Sequence, residues 1–81
     1  MTTRVEILEV AREYDWRQVP GTTGFERGLS LYRLDDGDRY TMWVEFDWNS
    51  GRVAYAETNG NRLTGGAEAI KAHLRRNGVR K

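Results

Sequence analysis

His73 is the only imidazole in the chain, so acid–base chemistry would have to start there. A general base needs an orienting partner and a group to activate within hydrogen-bond reach. On a helix those groups stand three or four positions away, and here the positions hold Ala69, Ile70, Arg76 and Asn77. None of them is an acid or a nucleophile. Asp35, Asp36 and Asp38 cluster around Gly37, but they lack the 1-3-5 ligand spacing and the distal glutamate of a calcium loop. A tight turn accounts for them. Thr64-Gly65-Gly66 ahead of a helix would offer backbone N–H groups to a phosphate. The Lys-Ser/Thr pair that completes a P-loop is missing, and helix capping is the better reading. The chain has no cysteine, which excludes disulfides and thiolate metal sites. No catalytic residue, metal ligand or cofactor site is expected, and the expected role is non-enzymatic.

Recognition has more to work with. In "YTMWVEFDW", residues 40–48, Tyr40, Met42, Val44, Phe46 and Trp48 alternate with Thr41, Trp43, Glu45 and Asp47. The first set reads as core and the second as solvent, so Trp43 stands on the polar side of a strand. Tyr32 and Tyr55 would extend it into a diagonal aromatic stripe, rimmed by Glu45, Asp47 and Glu57. Aromatic stripes can stack bases, but the acids would repel a phosphate backbone. Such a patch suits a protein partner or a second copy of the chain, because Trp and Tyr carry much of the energy at interfaces. The alternative is that residues 16–28, led by Trp16 or Phe25, fold over this face and bury Trp43.

A second handle is charge. The chain carries a net +1, yet Arg62, Lys71, Arg75, Arg76, Arg80 and Lys81 against Glu68 give residues 62–81 a balance of +5. The rest of the chain therefore sums to −4. Lys71, Arg75, Arg76, Arg80 and Lys81 are the candidates for contact with nucleic acid, each neutralising a phosphate in a salt-dependent way.

The elements that would position these residues follow from periodicity and turn chemistry. Thr3 and Glu6 fit a capping box, and Val5, Ile7, Leu8, Val10, Ala11 and Tyr14 recur at helical spacing, predicting a helix over 4–15. Residues 16–28, with Pro20-Gly21, Gly24 and Gly28, read as a loop anchored by Trp16, Val19 and Phe25. Pro20-Gly21 suits the centre of a type II turn. Asp36-Gly37 between alternating runs predicts a type I′ hairpin. It pairs Leu34 with Arg39, Tyr32 with Thr41, Leu31 with Met42, Ser30 with Trp43 and Leu29 with Val44. Asn49-Ser50-Gly51 reads as a turn closed by a glycine bulge, setting Trp48 against Arg52, Phe46 against Ala54 and Val44 against Ala56, with Val53, Tyr55 and Glu57 outside. An Asn/Gly turn then leads into a helix over 65–77, with Thr64 as its cap, Ala67, Ile70 and Leu74 as its buried stripe and Gly78 as a left-handed terminator.

The expected fold is α+β, ordered α-β-β-β-α: a three-stranded antiparallel sheet with two helices packed on one face, as a single domain over 1–81 with a basic tail at about 78–81. No apolar run approaches a membrane span and the N-terminus carries acids, so a cytoplasmic setting without membrane contact is expected. The element order is also that of double-stranded-RNA-binding domains. The lysine-rich opening of their second helix is replaced here by "GGAEAIK". In its size, heavy arginine use and runs such as "RVEILEVAREYDW", "GRVAYAETNG" and "LRRNG", the chain resembles small uncharacterised proteins of actinobacteria and their phages. That resemblance implies a compact accessory or regulatory protein engaging a host factor, and it carries over no functional residue.

Overall fold

In a computed structural model, which describes residues 3–19, 28–47 and 49–80, Asp36 (φ 46°) and Gly37 (φ 86°) are both left-handed. Two positive φ angles in a two-residue loop define the type I′ turn, whose twist matches that of the strands it joins. The turn links β2 (Gly28–Asp35) to β3 (Asp38–Phe46) and fixes every expected pair from Leu34↔Arg39 to Leu29↔Val44. Alternation then sends Leu29, Leu31, Met42, Val44 and Phe46 inward, where they are buried.

Among the described residues the sheet has five strands rather than three, in the antiparallel order β1-β2-β3-β4-β5. Both additions are two residues long. β1 (Arg17–Gln18) lies in the segment read as loop and pairs Arg17 with Tyr32 and Gln18 with Leu31. β5 (Asn61–Arg62) returns from β4 (Val53–Thr58) through Asn59-Gly60, again both at positive φ, and pairs Glu57 with Arg62. That Asn-Gly step is a second hairpin turn. Pro20-Gly21, Phe25, Trp48 and Lys81 lie outside the described residues.

The β3–β4 register is right at one end and shifted at the other. Val44 faces Ala56 as expected, but a bulge after Glu45 brings Val53 opposite Phe46 in place of Ala54. The extra residue rotates Val53 out of the expected outer row, and it packs against the core. Gly51 takes the left-handed conformation the turn requires (φ 73°).

The first helix, α1 (Thr3–Glu13), starts at Thr3 and ends in a Schellman motif two residues short of the expected boundary. Asp15 takes the left-handed position (φ 67°), the Trp16 amide donates to the Ala11 carbonyl (2.8 Å) and the Asp15 amide to Arg12 (3.4 Å). The second, α2 (Gly66–Arg76), is capped by Gly65 at φ 107° and not by Thr64. Gly78 is not left-handed. It is glycine because a Cβ would collide with Tyr14 and with the Leu74 carbonyl, and the next amide, Val79, donates to the Tyr14 carbonyl (3.0 Å). Ile7, Val10 and Ala11 of α1 and Ile70 and Leu74 of α2 join the inward sheet residues and Trp16 in one buried cluster. Each large aliphatic side chain there contributes about 1.5–3 kcal/mol.

One buried cation sits at the margin of this cluster. Arg33 is 5% exposed, on the inner face of β2. Its Nε donates to the Asn77 carbonyl at the end of α2 (2.7 Å), its guanidinium lies 4.7 Å from the Tyr40 ring centre, and it pairs with Asp35 (3.4 Å). The fork thus satisfies a carbonyl that the helix end leaves open. Among the described residues, no helix is long and apolar enough to cross a membrane.

Candidate protein-interaction face

The outer face of the sheet is set by the same registers. Tyr32 is paired with Thr41, Trp43 lies between Ser30 and Glu57, and Tyr55 is paired with Glu45. Tyr32, Trp43 and Tyr55 therefore occupy a diagonal across β2, β3 and β4, each one half-buried. Diagonal neighbours on a sheet stand about 7–8 Å apart, within reach of aromatic rings.

Trp43 has a reason to be on this face that alternation alone does not reveal. Gly28 lies diagonally from it on β2, and a Cβ at Gly28 would collide with the far edge of the indole ring, at Cη2 and at Cζ2 (2.8 Å). The end of the ring therefore packs against a strand glycine and supplies the packing that glycine lacks. Trp16 plays no part in covering it. It is 2% exposed on the helix side, where its indole N–H donates to the Leu74 carbonyl (3.0 Å) and its ring meets Tyr40 edge-on at 6.4 Å between centres.

The rim of the face is more mixed in charge than the acids alone imply. Glu45 is exposed, and Glu57 is half-buried opposite Arg62. The Tyr55 hydroxyl donates to Glu57 (2.9 Å), and Arg62 lies over the Tyr55 ring at 5.6 Å. The Tyr55 pKa is raised above its ordinary 10.0, first because that hydrogen bond to a carboxylate favours the protonated phenol. Asp47 is committed to its own turn, where Oδ1 accepts from the amides of Asn49 (2.8 Å) and Ser50 (3.4 Å). Arg17 opposite Tyr32, Arg39 opposite Leu34 and Arg62 opposite Glu57 add three cations that the aromatic stripe did not announce. Arg39 was already implied by the hairpin register. Arg62 was signalled by Asn59-Gly60, had that step been read as a hairpin.

The basic candidates divide. Lys71 bridges Glu6 of α1 (3.3 Å) and Glu68 (3.1 Å), and these two carboxylates hold its pKa above the usual lysine value. Arg80 pairs with Glu13 (3.5 Å). Arg75 and Arg76 are exposed in the last turn of α2. His73 is half-buried against Trp16, with ring centres 6.3 Å apart, and its pKa is lowered first by burial and then by Arg76. Among the described residues, no group of three His, Cys, Asp or Glu could hold a metal ion.

Among the described residues, two shallow depressions flank the sheet. One of about 210 Å³ is lined by Asp15, Arg17, Tyr32, Arg33 and Leu34. The other, of about 150 Å³, lies between β4 and the start of α2. Both fall below the roughly 300–1,000 Å³ of small-molecule sites. No protein-family model matches the chain, and neither a curated protein nor a solved structure matches it.

Proposed function

We propose that the chain is a small non-enzymatic interaction module, regulatory in role and cytoplasmic in setting, whose outer sheet face binds a protein partner or a second copy. One observation carries the reading: a half-exposed tryptophan packed against Gly28, at the centre of the Tyr32–Trp43–Tyr55 diagonal. A ring fixed by its own strand neighbour loses little freedom on binding, which is what makes such residues strong anchors. Glu45, Asp47 and Glu57 stand around it as the polar rim.

The competing reading, nucleic-acid contact through Lys71, Arg75, Arg76, Arg80 and Lys81, draws on the exposure of Arg75 and Arg76. It is weaker because Lys71 and Arg80 already pair with acids of the same chain. Reversing Arg75 and Arg76 to Glu would abolish duplex or single-strand retardation at low salt if that reading held.

The test of the face is its accessibility at a concentration where the chain is monomeric. A neutral gadolinium chelate should broaden the Trp43 indole N–H resonance strongly and spare that of Trp16, a buried internal control. A Trp43 resonance as protected as that of Trp16 would end the proposal. Trp43→Ala should then weaken association by about 2 kcal/mol or more. Its circular dichroism must be checked alongside, because the substitution also uncovers Gly28.

A further inference from the structure

On the outer face of β3 the side chains run Arg39, Thr41, Trp43, Glu45, and then Asp47 just beyond the strand. The series is positive at one end, negative at the other and aromatic in the middle. β3 is also the third of five strands, so this series follows the midline of the sheet. We infer that the occupant of the face is a second copy of this chain, related by a two-fold axis that crosses β3 at right angles near Trp43. The inference rests on the proposed role of the outer face and names its partner.

The geometry follows from the order of charges. A two-fold of that kind reverses β3, so the Arg39 end of one copy lies over the Glu45–Asp47 end of the other, and the same contact forms twice. Trp43 meets its own counterpart near the axis. Stacked sheets cross at about 30°, which displaces the two ends of β3 by roughly 7 Å, a span an arginine side chain can follow. Among the described residues, Arg39 and Glu45 form no ion pair within the chain, whereas Glu6, Glu13, Asp35 and Glu68 do. The other acid on the face, Glu57, is offset by Arg62 across β4–β5.

Size sets the strength. Five strands about 4.8 Å apart, two of them only two residues long, and at most nine residues of about 3.3 Å along a strand give a face of roughly 500 Å² per copy. The total of about 1,000 Å² is at the lower limit for a specific interface. The dimer is accordingly weak and concentration-dependent, and its charge pairs make it salt-dependent.

Sedimentation equilibrium tests this with the unmodified chain, Arg39→Glu, Glu45→Arg and a one-to-one mixture of the two variants. The unmodified chain should dimerise, and more weakly as salt rises. Each variant alone brings like charges together twice and should dimerise at least about tenfold more weakly. The mixture should regain the dimer, because both contacts then join opposite charges. A monomer at all concentrations, a dimer indifferent to salt, or variants that pair as well as the parent would each overturn the inference. A persistent monomer whose Trp43 indole is open to the gadolinium chelate removes only the second copy as occupant. One whose Trp43 indole is protected removes the interaction face itself.

Discussion

The two faces of this sheet are built from the same strands, yet they are held in opposite ways. The inner face is closed by volume: Leu29, Leu31, Met42, Val44 and Phe46 lock against Ile7, Val10, Ile70 and Leu74, and each has neighbours on every side. The outer face is closed by local pairs: Trp43 on Gly28, Tyr55 on Glu57, and Arg62 on Tyr55. Removing a side chain from the inner face leaves a cavity. Removing one from the outer face leaves a surface that water can fill. Aromatic residues can stay half-exposed where no cavity follows their removal, and here they are ordered by neighbours on the same face.

The sharpest way to break the comparison uses adjacent residues of β2. Leu31→Ala should lower unfolding free energy by about 2–5 kcal/mol. The whole chain is worth roughly 4–12 kcal/mol at this length, so the loss is a large share of the total. Ser30→Ala, one residue away on the outer face, should change it by less than about 0.5 kcal/mol. Urea denaturation of the two variants decides it, and equal losses would show that the outer face is packed as a core.

Arg33 is the next largest effect, because among the described residues it is the one buried cation. Arg33→Met keeps the stem and removes the donor to the Asn77 carbonyl, at a cost of about 1–3 kcal/mol. The loss should concentrate at the end of α2. Amide exchange of Asn77 and Val79 should accelerate more than that of Met42 or Val44, and uniform acceleration would show that Arg33 contributes only packing.

How far the sequence made these faces legible depends on what each relied upon. The inner face needed only alternation and an Asp-Gly turn, both local signals, and its residues could be named in advance. The two short strands were hidden for different reasons. Arg17-Gln18 has no alternation to detect in two residues, and it sits beside Gly- and Pro-rich sequence that reads as loop. Asn59-Gly60 did announce a hairpin, but the Thr-Gly-Gly that follows drew attention to the helix. The diagonal of Tyr32, Trp43 and Tyr55 was legible because it follows from registers set by turns. The cover over Gly28 was not, since it depends on a rotamer reaching from β3 diagonally to the adjacent strand β2. Gly78 shows the same limit: a glycine after a helix signals a left-handed terminator, but close approach to Tyr14 is what requires it.

Gly28→Ala separates stability from surface geometry. A Cβ there must push the free end of the Trp43 ring aside, while alanine regains roughly 0.5–1 kcal/mol of the backbone cost of glycine in a strand. The net stability change should stay within about 1 kcal/mol, and tryptophan emission should move to the red as the indole enters water. A stability loss as large as that of Leu31→Ala would mean that the contact between Trp43 and Gly28 is packed as tightly as the core.

The smallest effects are those of pH, and the two faces should fail at opposite ends of the scale. On the helix side, the pKa of His73 is lowered in the folded state by burial and by Arg76, below the 6.5 of the unfolded chain. The unfolded state therefore binds the proton first, and stability, full above that value, falls as pH drops through 6.5 towards the folded pKa. On the outer face Tyr55 is raised above 10.0 by its bond to Glu57, so the unfolded chain loses this proton first. That contribution is complete below pH 10 and disappears as pH rises through the folded value. Tyr55→Phe cannot ionise and also lacks the bond to Glu57. Its melting temperature should be slightly lower at neutral pH and should lack the alkaline decline assigned to Tyr55. Spectrophotometric titration of the four tyrosines should lose its latest component in this variant. If the late component persists, the raised phenol belongs elsewhere and the outer-face pairing of Tyr55 with Glu57 does not hold in solution.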